Sequence, residues 1–327
     1  MSAVQALPHL VDRLPPLRGR VQADAVLAPA TWFRVGGAAE ALVRPAGPAD
    51  LAEFMAALPL DVPVQVLGAA SNVIVRDGGI AGVVIRLARG FSEIRAEADG
   101  VVAGAGALDA TVAEYAAQAG LTGLEFLSGI PGSVGGAVAM NAGAYGGDVA
   151  SCLDWAEFVT RSGAQIRLAA SSLAFAYRHA SLPAAAVVTR ARFHARPGDA
   201  GVIAAEMARI RASREATQPV RARTGGSTFR NPDGMKAWEL IHAAGGRGLQ
   251  RGGAVCSEKH CNFLLNAGDA TAADLEGLGE ELRRRVQAAS GVVLEWEIKR
   301  VGLPGQVVGQ ASGQVLGQLG AAAWGLA

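Results

Sequence analysis

Hydrophobic residues recur at two different spacings along the first ninety residues. Leu51, Phe54 and Leu58 are three and four positions apart, as on the buried face of a helix, and Pro48 is suited to open that helix. Short apolar runs at 38–45, 64–67, 73–75 and 83–87 predict strands around it. Together they predict a small β-α-β-β unit, without the strand, GxGxxG turn and helix of a Rossmann site. We expect residues 1–25 to form an irregular arm with a helical turn.

The pattern changes after residue 93. An apolar run at 101–106 predicts a strand, residues 108–118 predict a helix stopped by Gly120, and a glycine-rich stretch occupies 129–147. Strand-like runs follow at 155–160, 164–168 and 186–193. An arginine-rich amphipathic helix over 201–215, with Ile203, Met207 and Ile210 on its inner face, is interpreted as a connector between domains.

The last periodic segment begins near Pro219. Thr271 and Asp274 form the pattern of a capping box, and Gly291 is placed to end the helix that follows. A strand is predicted over 292–301. The pattern therefore predicts units at 1–89, 90–205 and 206–302, with a poorly ordered tail at 303–327.

Composition narrows the class of protein. The net charge of +1 gives no general attraction to nucleic acid or to anionic lipid. Three cysteines without a CxxC pair argue against a disulfide framework, and Cys256, His260 and Cys261 lack a second ligand cluster for a metal. No apolar run approaches the length of a membrane span, and the first residues show no positively charged segment followed by an apolar stretch. We expect a cytoplasmic, monomeric protein with no metal, no membrane contact and no nucleic-acid partner.

Two stretches of small residues carry the strongest chemical signal. The first is a strand that runs into the turn Gly68–Asn72, where backbone N–H groups could approach a pyrophosphate closely. Taken alone, such a turn is more often a tight structural loop. The second stretch, residues 128–147, holds seven glycines but keeps Ile130, Val134 and Val138, so it is not a flexible linker. It favours close contact with a large phosphorylated ligand over a purely structural loop.

These two stretches resemble the FAD-binding segments of the UDP-N-acetylenolpyruvoylglucosamine reductase family, in the vanillyl-alcohol-oxidase-like superfamily. Further resemblances follow in order at 31–37, 177–178, 225–232, 257–263 and 294–299, so the match covers about residues 27–302. The chain resembles the shorter subtype, which lacks a tyrosine-bearing loop. The implied fold class is α+β, with a two-lobed FAD-binding domain of the vanillyl-alcohol-oxidase type and a C-terminal α+β substrate-binding domain.

The resemblance implies that FAD and NADPH act as cofactors and that a UDP-sugar is the substrate. It places FAD on Arg34, Gly68, Ala69, Ala70, Ser71, Asn72, Gly129, Ile130, Gly132, Ser133, Gly135, Gly136, Asn141, Ala142 and Gly143. It places the substrate on Asn231, Lys259, His260 and Asn262.

The implied catalytic residues are Arg178, Ser227 and Glu297. An arginine can hold a carboxylate at two points, a serine hydroxyl can protonate a strongly basic carbanion, and a buried glutamic acid can donate a hydrogen bond. By residue type alone, the three are more often a surface arginine, a turn serine and a solvated strand residue. Glu297 is chosen over Glu295 by its place in the motif.

The sequence departs from the family pattern at several positions. Ala70 replaces a glycine, at a cost of about 1 kcal/mol or more if that position needs a positive φ. Ala180 replaces a serine, Arg230 replaces a lysine, and Thr217 stands where some members have a substrate-binding lysine. Two other interpretations are open: another flavin oxidoreductase of the same fold, which would react with oxygen, and a non-catalytic FAD-binding protein, which would lack the catalytic residues.

Overall fold

Four strands form the sheet of the N-terminal lobe in the computed structural model, which describes residues 9–305. β1 pairs antiparallel with β2, whereas β2, β5 and β3 are parallel, and the sheet order is β1-β2-β5-β3. The elements of this lobe are β1 (Arg20–Val26), β2 (Ala38–Arg44), α1 (Pro48–Ala57), β3 (Val64–Val66), β4 (Val73–Val75) and β5 (Ile80–Ile85), with 3-10 turns at Leu10–Arg13 and Ala28–Ala30. The β-α-β-β unit is the one that the hydrophobic pattern predicts.

The prediction of an irregular arm over residues 1–25 is wrong from Arg20 onward, where β1 begins. Ala25 is the single buried residue of β1, so the strand carries no apolar alternation. Backbone hydrogen bonds to β2, with Arg20 opposite Arg44, hold it in place. Residues 1–8 of the predicted arm lie outside the described part of the chain.

The second lobe is built on an antiparallel sheet of five strands in the order β12-β11-β13-β7-β6. Its buried face packs against α2 and α3. The elements are β6 (Ile94–Glu97), β7 (Gly100–Gly104), α2 (Asp109–Gln118), β8 (Leu121–Thr122), α3 (Val134–Met140), β9 (Gly143–Ala144), β10 (Gly147–Asp148), β11 (Leu153–Val159), β12 (Gln165–Ala169), β13 (Val187–His194), β14 (Arg196–Pro197) and α4 (Ala200–Thr217), with 3-10 turns at Arg89–Phe91, Glu125–Gly129 and Ala170–Leu173.

Helix α3 lies inside the glycine-rich stretch, to which the sequence pattern assigned no helix. Two glycines in its first turn lower its intrinsic propensity, but Val134, Ala137 and Val138 are buried in the core of the lobe. Packing therefore outweighs propensity. Gly135 comes so close to Ala105 that an added Cβ would lie 3.1 Å from the alanine Cβ.

Helix α4 buries Ile203, Met207 and Ile210, as the pattern predicts. It packs against α2, β8 and the turn Glu125–Gly129 of the second lobe, and it runs without a break across residue 206. The boundaries proposed at 89, 205 and 302 stay predictions.

The C-terminal region contains α5 (Ala237–Ala243), β15 (Gln250–Arg251), β16 (Ala254–Cys256), β17 (Leu264–Asn266), α6 (Ala272–Ser290) and β18 (Lys299–Val301). The capping box of Thr271 and Asp274 is confirmed, and Gly291 ends α6 in the left-handed conformation. The buried face of α6 covers the three-stranded sheet β15-β16-β17. Most of the tail predicted at 303–327 lies outside the described residues, which end at 305.

The strand predicted over 292–301 is mostly wrong. Only Lys299–Val301 forms a strand, and Trp296 makes an isolated bridge to Phe229. β18 pairs in parallel with β4, with Lys299 opposite Val73, so the end of the C-terminal region returns to the N-terminal lobe. This return places the segment before β18 beside the turn Gly68–Asn72. Among residues 9–305, no helix combines the length and the apolar character needed to cross a bilayer.

Candidate functional site

The two glycine-rich stretches meet between the N-terminal lobe and the second lobe. The Ala69 N–H donates to Ser133 Oγ at 3.3 Å, and a Cβ on Gly68 would lie 2.6 Å from the same oxygen. A side chain at position 68 would therefore require the Ser133 hydroxyl to move. A cavity of about 260 Å³, here called the interlobe groove, opens at the junction. Five of the residues assigned to the cofactor line it: Gly68, Ala69, Ser133, Gly135 and Gly136.

The small residues of the interlobe groove suit an extended dinucleotide, because they leave room for its backbone to lie against the chain. Leu67, Leu108 and Val188 add apolar surface to the polar turn. The chemistry of this lining therefore fits FAD.

The turn itself is strained at Ala70, which has a φ of +52°. The sequence pattern had flagged this position, and the structure confirms that it needs the left-handed conformation. Trp32 N–H donates to the Ala70 carbonyl at 3.2 Å, which fixes the turn. At its end, Asn72 Nδ2 donates to the Glu297 carbonyl at 3.3 Å and the Lys299 N–H donates to the Asn72 carbonyl at 3.1 Å. Asn72 therefore joins the turn to the segment that carries Glu297.

Arg178 and Glu297 are in direct contact, although 119 positions separate them in the sequence. Arg178 Nε donates to Glu297 Oε1 at 2.8 Å, and the two side chains are 22% and 12% exposed. Arg178 sits in a tight loop with a φ of +56°, closed by reciprocal backbone hydrogen bonds between Ala176 and His179. A non-glycine residue in this conformation is typical of a functional constraint.

Ser227 is connected to this pair through its sequence neighbour, Thr228. The Glu297 N–H donates to the carbonyl of Thr228 at 2.9 Å, and Ser227 forms an isolated antiparallel bridge with Phe263. Ser227 is half-buried, and its hydroxyl has no hydrogen-bond partner within residues 9–305. A free hydroxyl is therefore available to a ligand at this place.

The surroundings of Glu297 are cationic. Burial raises the pKa of Glu297, while the neighbouring Arg178 and Arg230 oppose that rise. Burial and then Arg230 lower the pKa of Lys299. Arg230 also donates to the carbonyl of Arg178 at 3.4 Å. Glu297 thus lies among several cations, and the exposed Glu295 lies 3.8 Å from Arg230. This excess of cations suits an anionic substrate.

Asn141 ends α3 with a φ of +42° and is buried. Its Nδ2 donates to the carbonyl of Ala176 at 3.0 Å, and its Oδ1 accepts from the Ala150 N–H at 2.9 Å. Asn141 therefore positions the loop that carries Arg178. The next two residues, Ala142 and Gly143, continue from α3 into β9 at this same place.

Three other residues assigned to the cofactor lie behind the groove lining. Gly129 packs on the ring of Tyr145, where a Cβ would be 2.7 Å from a ring carbon, and Ile130 packs on the core of the lobe. Gly132 lies against Asp109, and an added Cβ would be 2.5 Å from Asp109 Oδ2. Burial raises the pKa of Asp109 to about 8, and neither carboxyl oxygen has a partner among the described residues. No motif in the sequence singled out this carboxyl group.

The four residues assigned to the substrate have different surroundings. Lys259 and Asn231 are exposed, with Lys259 Nζ donating to the Glu215 carbonyl and Asn231 Oδ1 accepting from the Ala237 N–H at 3.0 Å. His260 packs edge-on against Phe263, and burial lowers the pKa of His260.

Asn262 is 3% exposed, accepts a hydrogen bond from the Phe229 N–H and donates to the Phe229 carbonyl, so it supports the strand that carries Ser227. Its assignment to the substrate stays a prediction.

Arg34 does not line the interlobe groove. It lines a separate cavity of about 550 Å³, which also contains Arg44, Arg86, Arg221 and Arg223 and is here called the arginine cleft. Ala69 and Arg86 line both cavities, so the two adjoin. The additional arginines were missed because they come from three separate stretches of sequence without a shared motif.

Cys256 and Cys261 are buried beside each other, with Cys256 Sγ donating to the Cys261 carbonyl at 3.1 Å. Within residues 9–305, no group of three or more His, Cys, Asp or Glu side chains has a metal-binding arrangement.

Comparison with known families identifies the class first. The family described as FAD binding domain matches residues 39–169, which include most of the N-terminal lobe, the first part of the second lobe and most of the lining of the interlobe groove. The family described as UDP-N-acetylenolpyruvoylglucosamine reductase, C-terminal domain, matches residues 218–301. The chain is therefore a flavoprotein of α+β fold, with a two-lobed FAD-binding domain of the vanillyl-alcohol-oxidase type and a C-terminal α+β domain, as the motifs predicted.

Relatives and a solved structure identify the family. The chain is 66% identical over 304 residues to the UDP-N-acetylenolpyruvoylglucosamine reductase of Acidiphilium cryptum, covering 92% of this chain and 98% of the relative. It is 64% identical over 293 residues to that of Granulibacter bethesdensis, covering 90% and 94%. The crystal structure of UDP-N-acetylenolpyruvylglucosamine reductase from Thermus caldophilus is 36% identical, with a TM-score of 0.75 over 87% of this chain and 99% of that one. This chain belongs to the UDP-N-acetylenolpyruvoylglucosamine reductase family.

Proposed function

We propose that this protein reduces the enolpyruvyl group of UDP-N-acetylenolpyruvoylglucosamine to give UDP-N-acetylmuramate, with NADPH as reductant and FAD as the bound cofactor. The product is a peptidoglycan precursor. The observation that carries the proposal is the contact of Arg178 with Glu297, at the point where Asn72 of the FAD turn reaches the Glu297 backbone. A cytoplasmic location and a monomeric state remain predictions.

When bound, FAD would supply hydride transfer from NADPH to the terminal carbon of the enolpyruvyl group. The protein must then stabilise the negative charge that develops on the neighbouring carbon and its carboxylate. That carbon finally takes up a proton, so the double bond becomes a lactyl ether.

Arg178 is the proposed anchor of the substrate carboxylate. Its Nε is bonded to Glu297, and its other guanidinium N–H groups have no acceptor among the described residues. They remain available to grip a carboxylate. Because the guanidinium stays protonated, it also stabilises the negative charge that grows during the reaction.

Glu297 is proposed to act as a neutral hydrogen-bond donor. Burial already favours its protonated form, and Arg178 opposes it. A substrate carboxylate on Arg178 would offset the arginine charge and place a second anion nearby, and both changes raise the pKa of Glu297 further. The protonated acid could then donate to the developing enolate-like oxygen.

Ser227 is proposed to deliver the proton to the carbanion carbon. Its hydroxyl is free and half-buried, and the bridge to Phe263 fixes its backbone. A hydroxyl of ordinary acidity suffices, because a carbanion is a strong base. Lys259 and Asn231 are proposed to meet the diphosphate of the UDP-sugar.

The test measures the absorbance of the bound flavin at about 450 nm under anaerobic conditions. NADPH should bleach the purified protein, and one equivalent of UDP-N-acetylenolpyruvoylglucosamine should restore the colour without oxygen. Recovery with oxygen alone would favour another flavin oxidoreductase. Failure of NADPH to bleach the flavin would favour a non-catalytic FAD-binding protein.

A further inference from the structure

The arginine cleft gathers five guanidinium groups from three parts of the chain. Arg34 comes from the segment before β2, and Arg44 is the last residue of that strand. Arg86 follows the parallel strand β5, and Arg221 and Arg223 precede the Ser227 segment. No aspartate or glutamate lines the cleft. In a sheet of parallel strands, the carboxyl ends are a common place for ligands to bind.

None of these five arginines forms an ion pair with a carboxylate within residues 9–305. Arg34 and Arg223 donate only to the carbonyls of Pro29 and Gly268. Other arginines in the chain do form such pairs, including Arg192, which contacts Glu97 and Asp99. The absence of partners in the cleft therefore concentrates positive charge in one place.

The charges in the cleft repel one another. Burial and the nearby Arg44 lower the pKa of Arg86, which is half-buried. Like charges held together destabilise a fold unless an anion compensates them. Arg34 adds backbone strain with its φ of +58°. Strain and uncompensated charge at one cavity point to a ligand.

Trp32 adds an aromatic surface to the same cavity. It lines the cleft and is 37% exposed, and its N–H holds the strained Ala70. An exposed indole face stacks readily on a nucleobase. A cavity of about 550 Å³ is within the usual range for sites that hold small molecules.

We propose that the arginine cleft binds the diphosphate group of a nucleotide, with the base placed against Trp32. Guanidinium forks match phosphate oxygens at two points and retain their charge, so several arginines can neutralise a diphosphate. This inference does not depend on the proposed reductase activity.

The diphosphate has two possible sources. Because Ala69 and Arg86 line both cavities, it could belong to FAD that extends from the interlobe groove. It could also belong to a separate nucleotide that binds beside FAD.

The test is calorimetric titration of FAD-loaded protein with sodium pyrophosphate, without divalent cations. The double variant Arg44→Gln/Arg221→Gln should bind at least about tenfold more weakly, because each lost charge-assisted contact weakens binding. The matched control Arg13→Gln/Arg196→Gln removes two exposed charges that form no carboxylate pair among the described residues and lie outside the cleft. The control should bind like the unaltered protein.

A second measurement separates the two sources. Release of FAD on dilution, followed by flavin fluorescence, should be unchanged in Arg44→Gln/Arg221→Gln if a separate nucleotide fills the cleft. If FAD fills it, the loaded protein should bind no pyrophosphate, and the double variant should release FAD at least about tenfold more readily than the control. The charge-retaining Arg44→Lys/Arg221→Lys variant should recover part of either effect, which separates a lost contact from a folding defect.

Equal pyrophosphate binding by the double variant and its control would overturn the proposal. Absence of pyrophosphate binding, together with equal FAD release by both, would overturn it as well.

Discussion

The candidate active site and the arginine cleft both contain several positive charges. They differ in whether an arginine is paired with a carboxylate. In the active site, Glu297 holds Arg178 at 2.8 Å, and further cations surround this one carboxylate. In the arginine cleft, five arginines have no carboxylate partner within residues 9–305. A paired arginine is held in one orientation before the substrate arrives, whereas unpaired arginines depend on an anion to relieve their repulsion.

The comparison also explains where chemistry is expected. Glu297 can change its protonation state because burial and Arg178 act on its pKa in opposite directions. Arginines cannot lose their protons in this way, so the cleft can hold an anion but offers no proton transfer. We therefore propose reaction in the first region and binding in the second.

The largest expected effect is from Ser227→Ala. Loss of a proton donor should lower turnover by about 10²–10⁴-fold. Bleaching by NADPH and the FAD content should stay normal, since Ser227 does not line the interlobe groove. Stopped-flow absorbance separates the two half-reactions, and Ser227→Thr, which keeps a hydroxyl group, should recover part of the activity. Unchanged turnover in the alanine variant would remove Ser227 from the mechanism.

The next effect is from Arg178→Lys, which retains charge but loses the planar fork. We expect a fall of about 10²–10³-fold in turnover, the range for one lost stabilising donor. Steady-state kinetics measures it. Arg167→Lys is the matched control, because Arg167 pairs with Glu157 at the surface and should show normal kinetics. Similar kinetics for both variants would mean that the pairing of Arg178 carries no catalytic role.

A pH series tests the balance at Glu297. The pKa of Glu297 is raised in the folded protein, so ionisation of Glu297 destabilises the fold. This destabilisation is absent below the ordinary pKa of 4.5 and complete above the folded pKa. The free energy of unfolding of Glu297→Gln, minus that of the unaltered protein, should therefore rise as the pH increases through this window. Urea unfolding from pH 4 to 8 gives the difference.

Glu295→Gln is the control for this series, because Glu295 is two positions away and 74% exposed. Its difference from the unaltered protein should stay nearly flat with pH. A difference for Glu297→Gln that falls with rising pH would show that the ion pair with Arg178 outweighs burial.

The smallest effect concerns Ala70, in the turn that connects the two regions. Ala70→Gly relieves a left-handed alanine but adds chain entropy to the unfolded state, so a net gain of about 0.5 kcal/mol is expected. Ala69→Gly is the matched control, because Ala69 has no positive φ, and it should lose stability. Urea unfolding at neutral pH compares the two, and an equal loss in both would contradict strain at Ala70.

Much of the fold could be predicted from local patterns. The N-terminal β-α-β-β unit, the buried face of α4 and the capped helix α6 each follow from the spacing of nearby residues. The prediction failed where a segment depends on distant partners. β1 is mostly exposed and exists through its bonds to β2, and α3 forms despite its glycines because the core of the lobe buries one face.

The candidate site shows the same division. Motifs identified Arg178, Ser227 and Glu297 as candidate catalytic residues. Residue type alone favoured ordinary surface positions for them. Sequence patterns could not show that Asn262 is buried, nor that Arg44 and Arg221 share a cavity. Those facts depend on contacts between parts of the chain that are far apart in sequence.

The sequence by itself determined the family, the cofactor and the candidate catalytic residues, because each can be recognised from short motifs of neighbouring residues. Only the tertiary structure decided which charges are paired. The parallel pairing of β18 with β4 places Glu297 beside the FAD turn, and the loop after β12 brings Arg178 to it. Electrostatic energy depends on distance and burial in space, and neither is fixed by position along the chain.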